Sequence, residues 1–179
     1  VADREADIFE FMQKAQEIGA SFLVRSKSDR SIEAQTPGGR ITTKSLHSFA
    51  EAGPVIATGE IIVTGNSGRE TRKITVSFRR QEVVLMVPRS NRSAADAKGL
   101  LPIKCSVVSI NSRAKIDGKP LKWILLTDRS TASPRDLRNI AQWYKLRWQI
   151  EVFHKTLKSG CNVEDCRLSN LERLAPYLV

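Results

Sequence analysis

Four residues near the end of the chain have types and spacing that could do chemistry on phosphates. They are Tyr144, Arg147, Glu151 and Lys158, in the stretch YKLRWQIEVFHKTLKSG at residues 144–160. A carboxylate can hold a divalent cation while guanidinium and ammonium groups grip phosphate oxygens. On a helical wheel at about 100° per residue the four gather within an arc of roughly 60°, with Lys155 at its edge and Trp148 a little beyond. Trp143, Leu146, Ile150, Phe153 and Leu157 occupy a separate arc of roughly 80°, the expected core stripe. An ordinary solvated face gives a similar pattern, and its Glu151–Lys155 pair contributes only about 0.3 kcal/mol in an isolated helix. The pattern alone leaves both readings open, although Tyr144 and Trp148 add aromatic area that a solvated face does not need.

Further carboxylates stand in DREAD at residues 3–7. At a helix start, Asp3 and Asp7 are ordinarily explained by free N–H groups and the helix dipole. A catalytic role for Asp3 needs a fold that brings it to Glu151, 151 − 3 = 148 positions away. The order acid, helix, strand offers one. In an open sheet Asp3 would lie at a strand's carboxyl end, where sites of such sheets form. Two carboxylates make a poor two-metal site, so a third is expected.

The elements that must position these residues fall into three regions. Residues 3–18 read as a helix with Ile8, Phe11, Met12, Ala15 and Ile18 at core spacing, stopped by Gly19, and FLVRSK at 22–27 reads as a buried strand. Residues 28–120 alternate strand-like runs with turn signals such as Asn66-Ser67-Gly68 and Asp117-Gly118, which predicts an inserted antiparallel β subdomain. Residues 121–179 return to a mixed pattern, with LKWILLTD as a buried strand. Ser133, Pro134 and Asp136 then form a capping signal for a helix expected to run unbroken to about Lys158. Gly160 ends it, and NLERLAPYLV starts another.

Composition narrows the partners. The 179 residues carry a formal charge of +10, a balance that favours a polyanion such as nucleic acid. No apolar run approaches the ~20 residues of a membrane span, and the basic residues are spread along the chain rather than massed on one amphipathic helix. Cys105, Cys161 and Cys166 make an odd count that fits a reducing compartment. With only His47 and His154 available, no zinc set forms, and a catalytic metal would sit on carboxylates, as Mg²⁺ or Mn²⁺ do. The chain begins with Val1 rather than Met, and we expect it to be a piece of a longer protein.

The order Tyr144, two residues, Arg147, three residues, Glu151, six residues, Lys158 resembles the Tyr-Arg-Glu-Lys signature of bacterial cut-and-paste transposases of the insertion-sequence-four group. DREADI at 3–8 is similar to the segment carrying that family's second catalytic aspartate, and LKWILLT at 121–127 to the strand whose tryptophan stacks on a flipped base. FLVRSK resembles a strand whose basic residues face DNA. The resemblance implies an α/β fold: a partial RNase H-like core, at residues 1–27 and 121–179, with the antiparallel β insertion between them. It implies that Asp3 and Glu151 are the second and third members of an Asp-Asp-Glu triad holding Mg²⁺, with Mn²⁺ as the alternative. Tyr144, Arg147 and Lys158 would bind phosphates of transposon-end double-stranded DNA, and Trp123 would take a flipped base during a hairpin step. Arg25, Lys27 and Lys155 would be further DNA contacts. A homodimeric synaptic complex and a bacterial cytoplasmic location are also implied. The family's first aspartate belongs upstream, so this chain alone is expected not to cleave DNA. A non-catalytic DNA-binding or assembly module, or a generic RNase H-like nuclease, is the alternative. The basic residues Arg69, Arg72, Lys73, Arg79 and Arg80 would form either a DNA face or a charged sheet edge.

Overall fold

The computed structural model describes residues 1–35, 41–64, 71–88, 99–116 and 118–159. The chain divides into two units, residues 1–144 and 145–179. The first is a mixed α/β unit built on one sheet. Its strands are β1 (Leu23–Arg25), β2 (Ser31–Gln35), β3 (Ile41–Ser45), β4 (Val55–Thr64), β5 (Thr71–Leu85), β6 (Ile103–Ile116) and β7 (Lys119–Thr127). They hydrogen-bond in the order β1-β7-β6-β5-β2-β3, β4 pairs with β5, and every pairing between strands is antiparallel. Its helices are α1 (Phe9–Glu17), α2 (Leu46–Ala52) and α3 (Pro134–Leu146); α4 (Trp148–Ser159) lies in the second unit.

Side chains alternate across a strand, so a strand buried on both faces must be apolar at consecutive positions. That is the pattern of β1, β6 and β7. Val24, Val107 and Leu126 enter one cluster with Phe9 and Met12 of α1 and Leu46 and Ala50 of α2. Their neighbours Leu23, Val108 and Leu125 enter a second cluster with Leu137, Ile140 and Ala141 of α3. Each fully buried leucine contributes about 1.5–3 kcal/mol. Strands β2 and β3 were not anticipated, because SIEAQ offers only Ile32 and Ala34 to the core and ITTKS no buried residue at all. Helix α2 is short, and its first turn is served from outside: the Asp29 carboxylate accepts the His47 N–H at 2.8 Å and the Ser45 hydroxyl at 2.7 Å. Those bonds, the His47 N–H first, hold the Asp29 carboxyl below its ordinary range.

Three expectations change. The first helix is shorter than 3–18: a 3-10 turn at Arg4–Ala6 precedes α1, which buries Phe9 and Met12 and leaves Ile8, Phe11 and Ile18 exposed. The run after Ser133 is two helices, not one. Ser133 and Asp136 form the expected reciprocal cap, each backbone N–H bonding the other's side chain at 3.1 Å, but the helix breaks at Arg147. Leu146, Ile150 and Phe153 are exposed rather than core, while Tyr144 is buried, continuing the stripe of Leu137, Ile140 and Ala141 on α3. Finally, Arg79 of β5 pairs on both sides, with Val55 of β4 and Ser109 of β6, and so is not on a sheet edge, whereas Arg72 and Lys73 pair with β4 alone and Arg80 with β6 alone. The turns at 66–68 and at Asp117, together with Arg69, Cys161, Cys166 and the expected helix at 170–179, lie outside the described residues.

Candidate functional site

The segment carrying Asp3 is tied to the sheet by a parallel bridge. The Ala2 N–H bonds the Leu23 carbonyl at 2.8 Å, and the Arg25 N–H bonds the Ala2 carbonyl at 3.2 Å. Asp3 follows that bridge directly, at its carboxyl end. Asp7, its partner in DREAD, does other work. Its carboxylate caps no helix but accepts the N–H groups of Lys27 at 2.7 Å and Ser28 at 3.0 Å and pairs with the Arg30 guanidinium. With a side chain only 1% exposed, Asp7 pins the segment after β1.

Tyr144, on the last turn of α3, donates its hydroxyl to the Asp3 carboxylate at 3.0 Å, across 141 positions of sequence. Its ring meets the Trp123 ring edge-on, with centroids 4.9 Å apart and planes at 70°. Such aromatic pairs contribute about 0.5–1.5 kcal/mol beyond their burial. The Arg25 guanidinium also faces the hydroxyl, and it donates to the Lys122 carbonyl at 3.2 Å. Burial pushes the Tyr144 hydroxyl above its ordinary pKa; Arg25 opposes that shift and the bond to Asp3 adds to it. Thus Asp3, Tyr144, Trp123 and Arg25 come together in the first unit. Lys27 is exposed beside them in sequence, and its ammonium pairs with Glu5 at 3.3 Å.

The second unit places Arg147 against Glu151, with Nη1 and Oε1 2.7 Å apart. Glu151, Lys155 and Lys158 lie on exposed positions of α4, which buries none of its residues. Glu151 is described in this unit and Asp3 in the other. Among the described residues no three of His, Cys, Asp and Glu gather in a group that could hold a metal ion. The donor chemistry of Asp3 and Glu151, hard carboxylate oxygens, suits Mg²⁺ or Mn²⁺, but the described set is incomplete.

No local pattern announces the Tyr144–Asp3 bond, because its partners are far apart in sequence. The role of Asp7 was also missed; its only signal is the stretch SKSDR at 26–30 that follows β1.

An acidic residue just after a single-residue bridge to β1, gripped by a buried tyrosine and flanked by an arginine, defines an acid-bearing site in a strongly basic α/β chain. That is the character of a protein that handles nucleic-acid phosphates. The chain matches the family model of the transposase DDE domain over residues 1–178, and it belongs to that family. It is therefore of the transposase class of nucleic-acid enzymes, a family that generally depends on divalent metal ions and acts on DNA.

Proposed function

We propose that the chain is the catalytic part of a cut-and-paste transposase of the insertion-sequence-four group, acting on the double-stranded DNA of transposon ends. The observation that carries this reading is the hydroxyl bond from Tyr144 to Asp3 at 3.0 Å. It joins the first residue of the Tyr-Arg-Glu-Lys spacing to the acid of DREAD, two motifs at opposite ends of the sequence.

In this reading the core is RNase H-like, divided as residues 1–27 and 121–179, with 28–120 as an insertion. Asp3 and Glu151 are members of an Asp-Asp-Glu triad. Mg²⁺, or Mn²⁺ in its place, would be held by these carboxylates and would supply charge stabilisation to phosphodiester cleavage and strand transfer. Tyr144 orients the Asp3 carboxylate by donating to one of its oxygens. Arg147 holds Glu151 and, with Lys155 and Lys158, presents positive charge to phosphates. Arg25 and Lys27 lie along the same DNA. Trp123, partly exposed beside Tyr144, stacks on a base flipped out at a hairpin step. The complete protein works in the bacterial cytoplasm as a homodimer that holds two DNA ends.

The 179-residue chain alone is expected not to cut DNA. The test incubates the purified chain with transposon-end duplex and Mg²⁺. Nicking that Glu151→Gln abolishes would overturn that expectation, whereas binding without nicking supports it.

A further inference from the structure

The face of the sheet opposite Tyr144 carries a second basic surface. Adjacent residues of a strand point to opposite faces. On β7, Trp123 packs with the cluster under α3, while its neighbour Lys122 turns the other way. Lys122 there lines a groove of about 1080 Å³ across β4, β5, β6 and β7. Three more cations line it: Lys73 and Arg79 from β5 and Arg113 from β6. Glu51 is the only carboxylate among the described lining residues, and it pairs with Lys122.

We infer that this groove binds the sugar-phosphate backbone of a second segment of double-stranded DNA, distinct from the end held at the Tyr144 face. Charge is the first reason: four cations stand against one carboxylate. Spacing is the second. Lys73 and Arg79 point the same way on one strand six residues apart, about 20 Å at roughly 3.3 Å per residue, the axial length of about six base pairs. Between them the floor is polar. Thr58, Ser77, Asn111 and Lys122 are aligned across four strands by the ladder register. Hydroxyls and amides set between cations suit phosphate and sugar oxygens. Arg79 is paired on both sides, with Val55 of β4 and Ser109 of β6, so its charge does not serve to block edge-to-edge pairing. Among the described residues Lys73 and Arg113 have no ion-pair partner, and both are exposed.

The inference rests on the DNA-processing role proposed above, and the test separates the two. Binding of a fluorescent random-sequence duplex to the 179-residue chain is measured across a salt series. The unaltered chain is compared with Lys73→Gln/Arg113→Gln and with Arg25→Gln/Lys27→Gln, all checked for unchanged thermal unfolding. Losing two phosphate contacts should make the slope of log K against log salt shallower by about 1.8 and weaken binding by up to about 60-fold near 0.1 M salt. A groove variant with unchanged slope and affinity, beside a weakened Arg25/Lys27 variant, overturns the groove and leaves the functional reading standing. An unaltered chain that fails to bind duplex at low salt overturns both. Displacement of the duplex by polyglutamate at equal charge overturns the DNA assignment in favour of an acidic protein segment.

Discussion

Tyr144→Phe isolates the one bond that links α3 to the acid of DREAD. The substitution keeps the ring, and with it the edge-on contact to Trp123, and removes only the hydroxyl that reaches Asp3 at 3.0 Å. A hydrogen bond to a charged group contributes about 1.5–3 kcal/mol. Asp3 is half-buried, so water can replace the lost donor on its side, and the lower end of the range applies: about 1.5 kcal/mol. For a chain of this size that lowers Tm by about 3–6 °C. Thermal unfolding by circular dichroism reads it. Asp3→Ala in both backgrounds completes a double-mutant cycle, in which the two substitutions should couple by about 1 kcal/mol or more. Unchanged stability in Tyr144→Phe, or additive effects in the cycle, would refute the idea that the hydroxyl anchors Asp3.

Other outcomes follow from the same geometry. Because burial raises the Tyr144 pKa, the folded chain holds that proton more tightly than the unfolded one. Stability should be full below the ordinary tyrosine value of about 10 and fall as pH rises through the native value; Tyr144→Phe should lack this alkaline decline in urea titrations. Asp7→Ala leaves the half-buried Arg30 guanidinium without its carboxylate and two backbone N–H groups without their acceptor, and should cost about 2 kcal/mol, measured by urea unfolding, a loss too large for a solvated surface acid. The Cys105 thiol is pushed up to about 12, chiefly by burial. Peptide mapping after iodoacetamide should therefore find Cys105 unmodified in the native chain and modified after denaturation; native alkylation would contradict its placement.

What the sequence disclosed depended on how each segment is buried. β1, β6 and β7 were readable as strands because burial on both faces demands consecutive apolar residues, as in Leu125 and Leu126. The cap at Ser133 and Asp136 was readable because both partners lie within one turn. β2 and β3 were not, since half or more of their positions are polar, and α2 draws its capping bonds from Asp29 outside the helix. The break at Arg147 carries no proline or glycine to mark it. A wheel started at Trp143 assigns Tyr144 to a polar face, whereas it continues the buried stripe of Leu137, Ile140 and Ala141, meets Trp123 edge-on and bonds Asp3. The types and spacing of the candidate residues were legible; the way Tyr144 grips Asp3 is a product of tertiary structure.

The central claim is that Asp3 and Glu151 are the acids of a DNA-cutting site. Its most direct test is divalent-metal-dependent cleavage of transposon-end DNA by the complete transposase carrying Asp3→Asn or Glu151→Gln. Each variant should lose strand cleavage, by a factor of about a thousand or more if charge at the reacting phosphate is their role, while still binding the DNA. Cleavage that persists at the unaltered rate in either variant would contradict the account.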